Sequence, residues 1–188
     1  SLYRLTALAA IRAGIALDNE DGVAATAASL PASFAGGRIL LSGDDVTDAI
    51  RTEEISAGAS KVAALPAVRA ALLARQRAYR RFPGLVADGR DMASVVFPAA
   101  AAKVFLTASA DARAERRYKQ LIAKGMPANM HALLQDLQER DARDAQRSVA
   151  PLRQADDADL VDTTEMDIEA AVAAVMTIVD RQGLRSTA

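Results

Sequence analysis

The 188-residue sequence contains no cysteine and no tryptophan, and it has only one histidine, His131. Without cysteine the chain can form no disulfide, no thiolate nucleophile and no cysteine-ligated zinc site. A single histidine does not supply enough ligands for a histidine-based metal site, and it disfavours a catalytic triad. These absences exclude several common classes of enzyme site.

A strong net charge and long hydrophobic runs are also missing. The 23 basic and 24 acidic residues give a formal net charge of −1. No overall field therefore attracts nucleic acid or a membrane surface, and any anion site must be local. No apolar run is long enough to span a membrane, and no signal peptide opens the chain. We expect a cytoplasmic protein with no nucleic-acid, membrane or obligate protein partner.

The residues that are present favour one α/β domain. Hydrophobic residues make up 51% of the chain and charged residues 25%, and this length can bury a proper core. Three short apolar runs in the second half alternate with helical patterns. Strands separated by helices are typical of a parallel sheet. The predicted strands are residues 85–87, 103–107 and 159–162.

Local signals predict several other elements. Gly36 and Gly37 separate two short runs, which predicts a β-hairpin with these glycines as its turn. Pro66 predicts the start of a helix, because its fixed φ angle suits the first helical turn. Asp167 is expected to cap the last helix. The predicted buried face of that helix contains Ile168, Val172, Val175 and Val179.

A charged segment near position 140 has helical spacing. Residues at i, i+3, i+4 and i+7 lie on one face of a helix. Arginines on one face suit a phosphorylated ligand, because the guanidinium group pairs bidentately with phosphate oxygens. Such a segment is typical of a lid that closes over phosphates. The alternative, which the segment favours when taken alone, is a solvated helix end with ion pairs of about 0.2–0.5 kcal/mol each. The residues are Arg140, Arg143, Asp144 and Arg147.

The segment Asp88-Gly89-Arg90-Asp91 directly follows the first predicted strand. In open α/β sheets, ligands bind beyond the carboxyl ends of the strands. Asp88 can orient magnesium through water, Arg90 can reach a phosphate, and Asp91 can accept a hydrogen bond from a base amino group. The alternative is an ordinary strand-to-helix loop in which Asp91 caps the next helix.

Two further basic features have weaker signals. Arg69 lies early in its predicted helix, where the helix dipole disfavours a cation, and this favours a ligand role. A surface arginine is the alternative. The basic run of residues 75–81 resembles a nucleic-acid patch only loosely, and a solvated helix face is the favoured interpretation.

The segment 85–98, Leu-Val-Ala-Asp-Gly-Arg-Asp-Met-Ala-Ser-Val-Val-Phe-Pro, resembles the signature of bacterial cytidylate kinases. The resemblance implies an α/β fold of the P-loop nucleoside monophosphate kinase type, with a parallel sheet and helices on both faces. It implies one kinase domain with a CMP-binding insertion at about 22–60 and a helical lid at about 125–150. Further similarity occurs in residues 2–4, 43–51, 59–63, 66–77 and 139–151.

The resemblance also implies an activity and a set of site residues. The reaction is transfer of the γ-phosphoryl group of ATP to CMP or dCMP, giving CDP or dCDP, with Mg²⁺ as cofactor. Its catalysis consists of positioning and charge neutralisation. The implied ligands are Arg4, Arg90 and Arg147 for the CMP phosphate, Ser60, Arg69 and Asp91 for cytosine, and Arg140 and Asp144 for the sugar. Tyr3 would lie beside the nucleotide, Arg140 and Arg143 near the transferring phosphoryl group, and Asp88 near magnesium, through water.

One part of the family pattern is not found in the 188 residues. They contain no Gly-x-x-x-x-Gly-Lys-[Ser/Thr] phosphate loop, which the family places before its Tyr-Arg pair. We therefore expect an amino-terminally truncated kinase domain with little or no turnover by this polypeptide itself. Two alternatives to a kinase are a non-catalytic nucleotide-binding remnant and a helical nucleic-acid-binding module that uses residues 69–81.

Overall fold

A computed structural model describes residues 1–146 and 151–184. The chain divides into two compact units, unit 1 (Ser1–Val86) and unit 2 (Ala87–Ala188). Unit 1 contains α1 (Leu2–Arg12), α2 (Glu20–Ala28), β1 (Ala32–Ala35), β2 (Arg38–Leu41), β3 (Asp44–Asp45), α3 (Glu53–Val62) and α4 (Pro66–Ala78). Unit 2 contains β4 (Val104–Thr107), α5 (Ala110–Ala123), α6 (Met130–Ala145), β5 (Asp159–Asp162) and α7 (Ile168–Arg181). A 3-10 turn occupies Ala49–Arg51 and a π-helical turn occupies Met92–Val96.

Unit 1 is a helical core with a small antiparallel sheet. Helix α1 packs on α3, and α2 packs on α4. Leu5, Val62 and Leu72 are fully buried in this core. Each of these helices presents one apolar side to its neighbours, and burial of that side is the main source of its stability. Pro66 is the first residue of α4, as predicted.

The predicted hairpin is confirmed. Strand β1 pairs antiparallel with β2 in the register Ala32↔Leu41 to Ala35↔Arg38. The turn residues Gly36 and Gly37 have φ angles of +56° and +76°. Two successive positive φ angles are the requirement of the tight hairpin turn that glycine favours.

Replacing Gly37 with alanine is expected to lower the free energy of unfolding by about 1–2 kcal/mol, because a Cβ atom disfavours positive φ. A Cβ atom at this position would meet no atom within 4 Å, so crowding does not contribute. Gly84→Ala is a matched control, because Gly84 has open space around it and no positive φ. Urea unfolding of both variants measures the difference. Equal effects of the two substitutions would contradict the backbone explanation.

Unit 2 confirms the predicted parallel pairing. Strand β4 pairs parallel with β5, from Val104↔Asp159 to Thr107↔Asp162. Helix α5 packs on α6, and α7 packs on β5. The Asp167 side chain accepts a hydrogen bond of 2.7 Å from the Ala170 N–H, so this residue caps α7 as predicted. Mixed helices and a parallel strand pair make the fold class α/β, as the sequence indicates.

The prediction of a strand at residues 85–87 is wrong. These residues have no strand structure, and the Val86 side chain is 100% exposed. A strand is stable only when its backbone groups pair with a neighbouring strand. In the described part of the chain, no strand pairs with this segment. Asp88 therefore follows a segment without regular secondary structure, and the carboxyl end of a strand does not position it.

The predicted buried face of α7 is also wrong for two of its four residues. Ile168 is 83% exposed and Val172 is exposed, whereas Val175 and Val179 are partly buried. The more buried side of α7 is centred on Ile178. That side combines Ile178 and Val175 with Ala171 and Ala174, and Ile168 and Val172 lie away from it, so periodicity alone did not identify the side that packs.

In the part of the chain that the structure describes, no single helix is long and apolar enough to cross a membrane. Helices α3 and α4 reach that length only together, and they are bent by 100° at their junction. The expected insertion at about 22–60 and lid at about 125–150 remain predictions, and residues 147–150 of the lid lie outside the described residues.

Candidate functional site

Two hydrogen bonds within unit 1 fix the side chain of Arg4, a residue of α1. Its Nη1 donates to the Ile50 carbonyl oxygen at 2.8 Å, and its Nη2 donates to the Ser56 Oγ at 3.1 Å. Ile50 is buried in the 3-10 turn and Ser56 is buried on α3. The guanidinium group of Arg4 is therefore fixed from two elements.

Arg69 on α4 is buried, so the structure does not support the surface alternative for this residue. Its side chain is only 9% exposed, and its Nη1 donates to the Ala63 carbonyl oxygen at 3.2 Å. Its guanidinium carbon lies 5.8 Å from the centroid of the Tyr3 ring, a cation–π geometry. A guanidinium group is costly to bury without partners. Tyr3 and the carboxyl end of α3 supply them here.

Ser60 lies on α3, one turn after Ser56. It is partly buried, whereas its neighbour Lys61 is exposed. Tyr3, Arg4, Ser60 and Arg69 are called the α3 site below. Contacts in unit 1 link Tyr3 to Arg69, and both arginines bond to α3 or its carboxyl-terminal cap.

In unit 2, the two charged motifs that the sequence indicates meet in an ion pair. The Arg90 Nε donates to the Asp144 Oδ2 at 2.9 Å. The Asp144 side chain is 1% exposed and that of Arg90 is 42% exposed. One carboxylate of α6 is therefore buried against the loop 88–91, and its arginine partner is accessible to water and to a ligand.

Asp91 is buried, with 4% of the residue exposed. It precedes the π-helical turn Met92–Val96, and its backbone carbonyl accepts from the N–H groups of Val95 and Val96. Its side chain makes no capping hydrogen bond to that turn. The alternative in which Asp91 serves as a helix cap is therefore not observed. A buried carboxylate at this position fits recognition of a hydrogen-bond donor.

Gly89 allows the loop to approach the following turn closely. A Cβ atom at this position would lie 3.0 Å from two carbon atoms of the Met92 side chain. Asp88 precedes it and is exposed. Arg90, Asp91 and Asp144 are called the loop–lid site below.

The other predicted lid residues differ in their surroundings. Arg140 is partly buried, whereas Arg143 is exposed with its Nη1 3.7 Å from the Glu139 Oε2. An exposed i,i+4 pair of this kind contributes little to stability. For Arg143 the structure thus shows the solvated ion pair that the spacing also allowed. Arg147 lies outside the described residues.

The family assignment rests on nearly the whole chain. The family model described as cytidylate kinase matches residues 1–181. The chain belongs to the cytidylate kinase family. The chain is therefore a nucleoside monophosphate kinase, a phosphotransferase, as the motifs of the sequence predict.

Relatives of high identity agree with this family. The cytidylate kinase of Pseudomonas aeruginosa (strain UCBPP-PA14) is 58% identical over 189 residues, which cover 97% of this chain and 82% of that protein. The cytidylate kinase of Chromobacterium violaceum is 61% identical over 176 residues, which cover 94% of this chain and 79% of that protein. That of Bordetella pertussis is 55% identical over 176 residues, with the same shares.

The structure of this cytidylate kinase chain also shows the partners of two arginines on α5, Arg113 and Arg116. Arg113 on α5 pairs bidentately with Asp141 on α6, at 3.0 Å from Nη1 to Oδ1 and 2.5 Å from Nη2 to Oδ2. This hydrogen-bonded carboxylate raises the pKa of Arg113 above its ordinary value. The two residues are 28 positions apart, so no spacing rule indicates the pair.

Arg116 on α5 stabilises the segment that follows β5. It donates to the Thr163 Oγ1 at 3.1 Å and to the carbonyls of Thr163 and Met166. Thr163 follows the carboxyl end of β5, where ligands bind in open α/β sheets. In this cytidylate kinase chain, Arg113 and Arg116 therefore brace α5 against α6 and against the end of β5.

The basic run of residues 75–81 is partly used inside unit 1. Arg75 donates to the carbonyl oxygens of Leu30 and Ala32. These carbonyls lie just before and within β1, so Arg75 joins α4 to the hairpin. Arg75, one of the arginines in the run, therefore has a structural role within unit 1.

Proposed function

We propose that this cytidylate kinase chain binds CMP or dCMP as phosphoryl acceptor and ATP as donor. The observation that carries the proposal is the contact between Arg90 and Asp144. These residues come from motifs 54 positions apart, and the resemblance implies a phosphate role for one and a sugar role for the other. Their contact supports a common nucleotide-binding role.

Within the proposal, the charge and burial of each residue indicate which part of the nucleotide it binds. Arg4 and Arg90 suit a phosphate, because a guanidinium group offers parallel N–H donors to its oxygens. The buried Asp91 suits the amino group of cytosine. Ser60 and Arg69 of the α3 site are also proposed to bind cytosine. We further propose Arg140 and Asp144 for the sugar, Arg147 for the CMP phosphate, and Arg140 and Arg143 for the transferring phosphoryl group.

Magnesium fits this chain as an ion held mainly by phosphates and water. Within residues 1–146 and 151–184, no three His, Cys, Asp or Glu side chains group as metal ligands. Mg²⁺ in kinases commonly keeps several waters and uses one or two carboxylates with the substrate phosphates. The exposed Asp88 can supply such a carboxylate through water. When bound, Mg²⁺ neutralises the phosphate charge that develops in transfer.

The test of the proposal is calorimetric titration of the 188-residue chain with CMP, with UMP as control, at moderate salt. We expect saturable binding with a clear preference for CMP, because UMP lacks the amino group that Asp91 is proposed to read. No binding, or equally weak binding of both nucleotides, would contradict the proposal. Salt dependence separates the nucleic-acid alternative, because a protein that tracks phosphates loses affinity steeply with salt and shows little base preference.

A further inference from the structure

Helix α3 carries a polar track on one face. Ser56 and Ser60 lie at i and i+4 on the same side of the helix, and the backbone carbonyl of Ala63, the carboxyl-terminal cap, follows them. The remaining buried positions of α3 are mostly small or apolar, including Ile55, Ala59 and Val62. The polar track therefore consists of the two serine hydroxyls and the Ala63 carbonyl, beside the apolar residues of the helix.

Both arginines of the α3 site bond to this track. The Arg4 Nη2 donates to the Ser56 Oγ at 3.1 Å, and the Arg69 Nη1 donates to the Ala63 carbonyl at 3.2 Å. Ser60, between these two acceptors, carries the proposed contact to cytosine. One helix and its cap thus accept hydrogen bonds from two cations, and Ser60 lies between these acceptors in the sequence.

Arg4 in particular needs orientation. An arginine side chain has many rotamers, and ordering it at the moment of binding would weaken the affinity for a phosphate. The Ile50 carbonyl and the Ser56 hydroxyl accept from its two terminal nitrogens, so they fix the plane of the guanidinium group before a ligand arrives. The carbonyl belongs to the backbone, and only the hydroxyl can be removed by substitution.

We infer that Ser56 is a positioning residue that holds Arg4 in the orientation required for the 5′-phosphate of CMP. The inference rests on the proposed function for the role of Arg4. Ser56 itself is buried, with 6% of the residue exposed, so it acts through Arg4 and does not need to touch the nucleotide. Its contribution is therefore to phosphate affinity and not to base recognition.

The test compares CMP with cytidine, which lacks the phosphate. Ser56→Ala is expected to lower the CMP affinity about three- to tenfold, the range expected for one hydrogen bond. Cytidine affinity should not change, and Ser56→Thr, which keeps a hydroxyl, should restore part of the CMP affinity. Ser29→Ala is the control, because the Oγ of that serine donates to the Ala25 carbonyl at the end of α2. It should leave both affinities unchanged.

A double-mutant cycle with Arg4→Ala separates positioning from general structural damage. If Ser56 acts through Arg4, adding Ser56→Ala to Arg4→Ala should cause no further loss of CMP affinity. An equal loss in both backgrounds would overturn the inference, and so would a parallel loss of cytidine binding. Either result would leave the proposed function intact, because the unmodified chain would still prefer CMP.

A measurement without ligand keeps the inference testable if the unmodified chain does not bind CMP. Nitrogen NMR of the arginine side chains reports rotation of each guanidinium group. The positioning role is supported if the Arg4 guanidinium rotates slowly in the unmodified chain and rotates faster in Ser56→Ala. Unchanged rotation overturns it. Absence of CMP binding by the unmodified chain would instead overturn the proposed function.

Discussion

Replacing Asp91 with alanine is expected to lower the affinity for CMP by about 10- to 100-fold, the effect of losing one hydrogen bond to a charged group. The affinity for UMP should fall much less. Asp91 is buried, and its side chain does not cap the adjacent turn. A site built to bind an amino donor discriminates because an unsuitable ligand leaves its buried polar groups unpaired. The measurement is calorimetry of CMP and UMP binding to both chains.

Two controls make this result specific. Asp88→Ala removes an exposed carboxylate three residues earlier, and in the absence of Mg²⁺ it should leave the CMP affinity unchanged. Asp91→Asn keeps the shape of the side chain but exchanges one acceptor oxygen for a donor, so it should also impair CMP more than UMP. Thermal unfolding of each variant shows whether the fold is preserved. Equal losses for CMP and UMP in a folded Asp91→Ala chain would show that Asp91 does not read the base.

The elements that the sequence predicts well are those with local physical causes. The Gly36-Gly37 turn, the Pro66 helix start and the Asp167 cap each depend on the backbone preference or hydrogen bonds of a few neighbouring residues. Such signals act within one turn of the chain. They do not require knowledge of which element packs against which.

The elements that sequence reasoning predicted wrongly depend on distant partners. Residues 85–87 have the composition of a buried strand, but a strand forms only beside another strand. The side of α7 that packs depends on β5, which its own apolar pattern cannot specify. The Arg113–Asp141 pair likewise joins two helices whose contact no spacing within either helix indicates.

The candidate site was predicted mainly from motifs, and the structure adds how its residues are held. The motifs indicated Arg4, Arg69 and Asp144 as ligands, but nothing in their local sequence showed that a buried serine, a backbone carbonyl or Arg90 would contact them. Those partners are up to 54 residues away and appear only when the elements pack. Their role is to fix the orientation of side chains that are flexible in isolation.

The pair of aspartates on α6 allows the last comparison. Asp144 is buried against Arg90, whereas Asp141, three residues earlier, is about one-third exposed in its pair with Arg113. Asp144→Ala is expected to lower the free energy of unfolding by about 1–3 kcal/mol. This is less than the cost of breaking a fully buried pair, because water can solvate the released Arg90. Asp141→Ala should cost less, about 0.2–1 kcal/mol, because its pair with Arg113 is more open to water.

The same two variants should differ more strongly in ligand binding. Asp144→Ala removes the proposed acceptor for the sugar and the residue that orients Arg90 toward a phosphate, so the CMP affinity should fall at least about tenfold. Asp141→Ala removes the partner of Arg113 on α5, and it should leave the CMP affinity within about twofold of the original. Urea unfolding and calorimetry on the same samples measure both effects. Similar losses of CMP affinity in the two variants would mean that α6 contributes through its stability, and that Asp144 has no specific role in nucleotide binding.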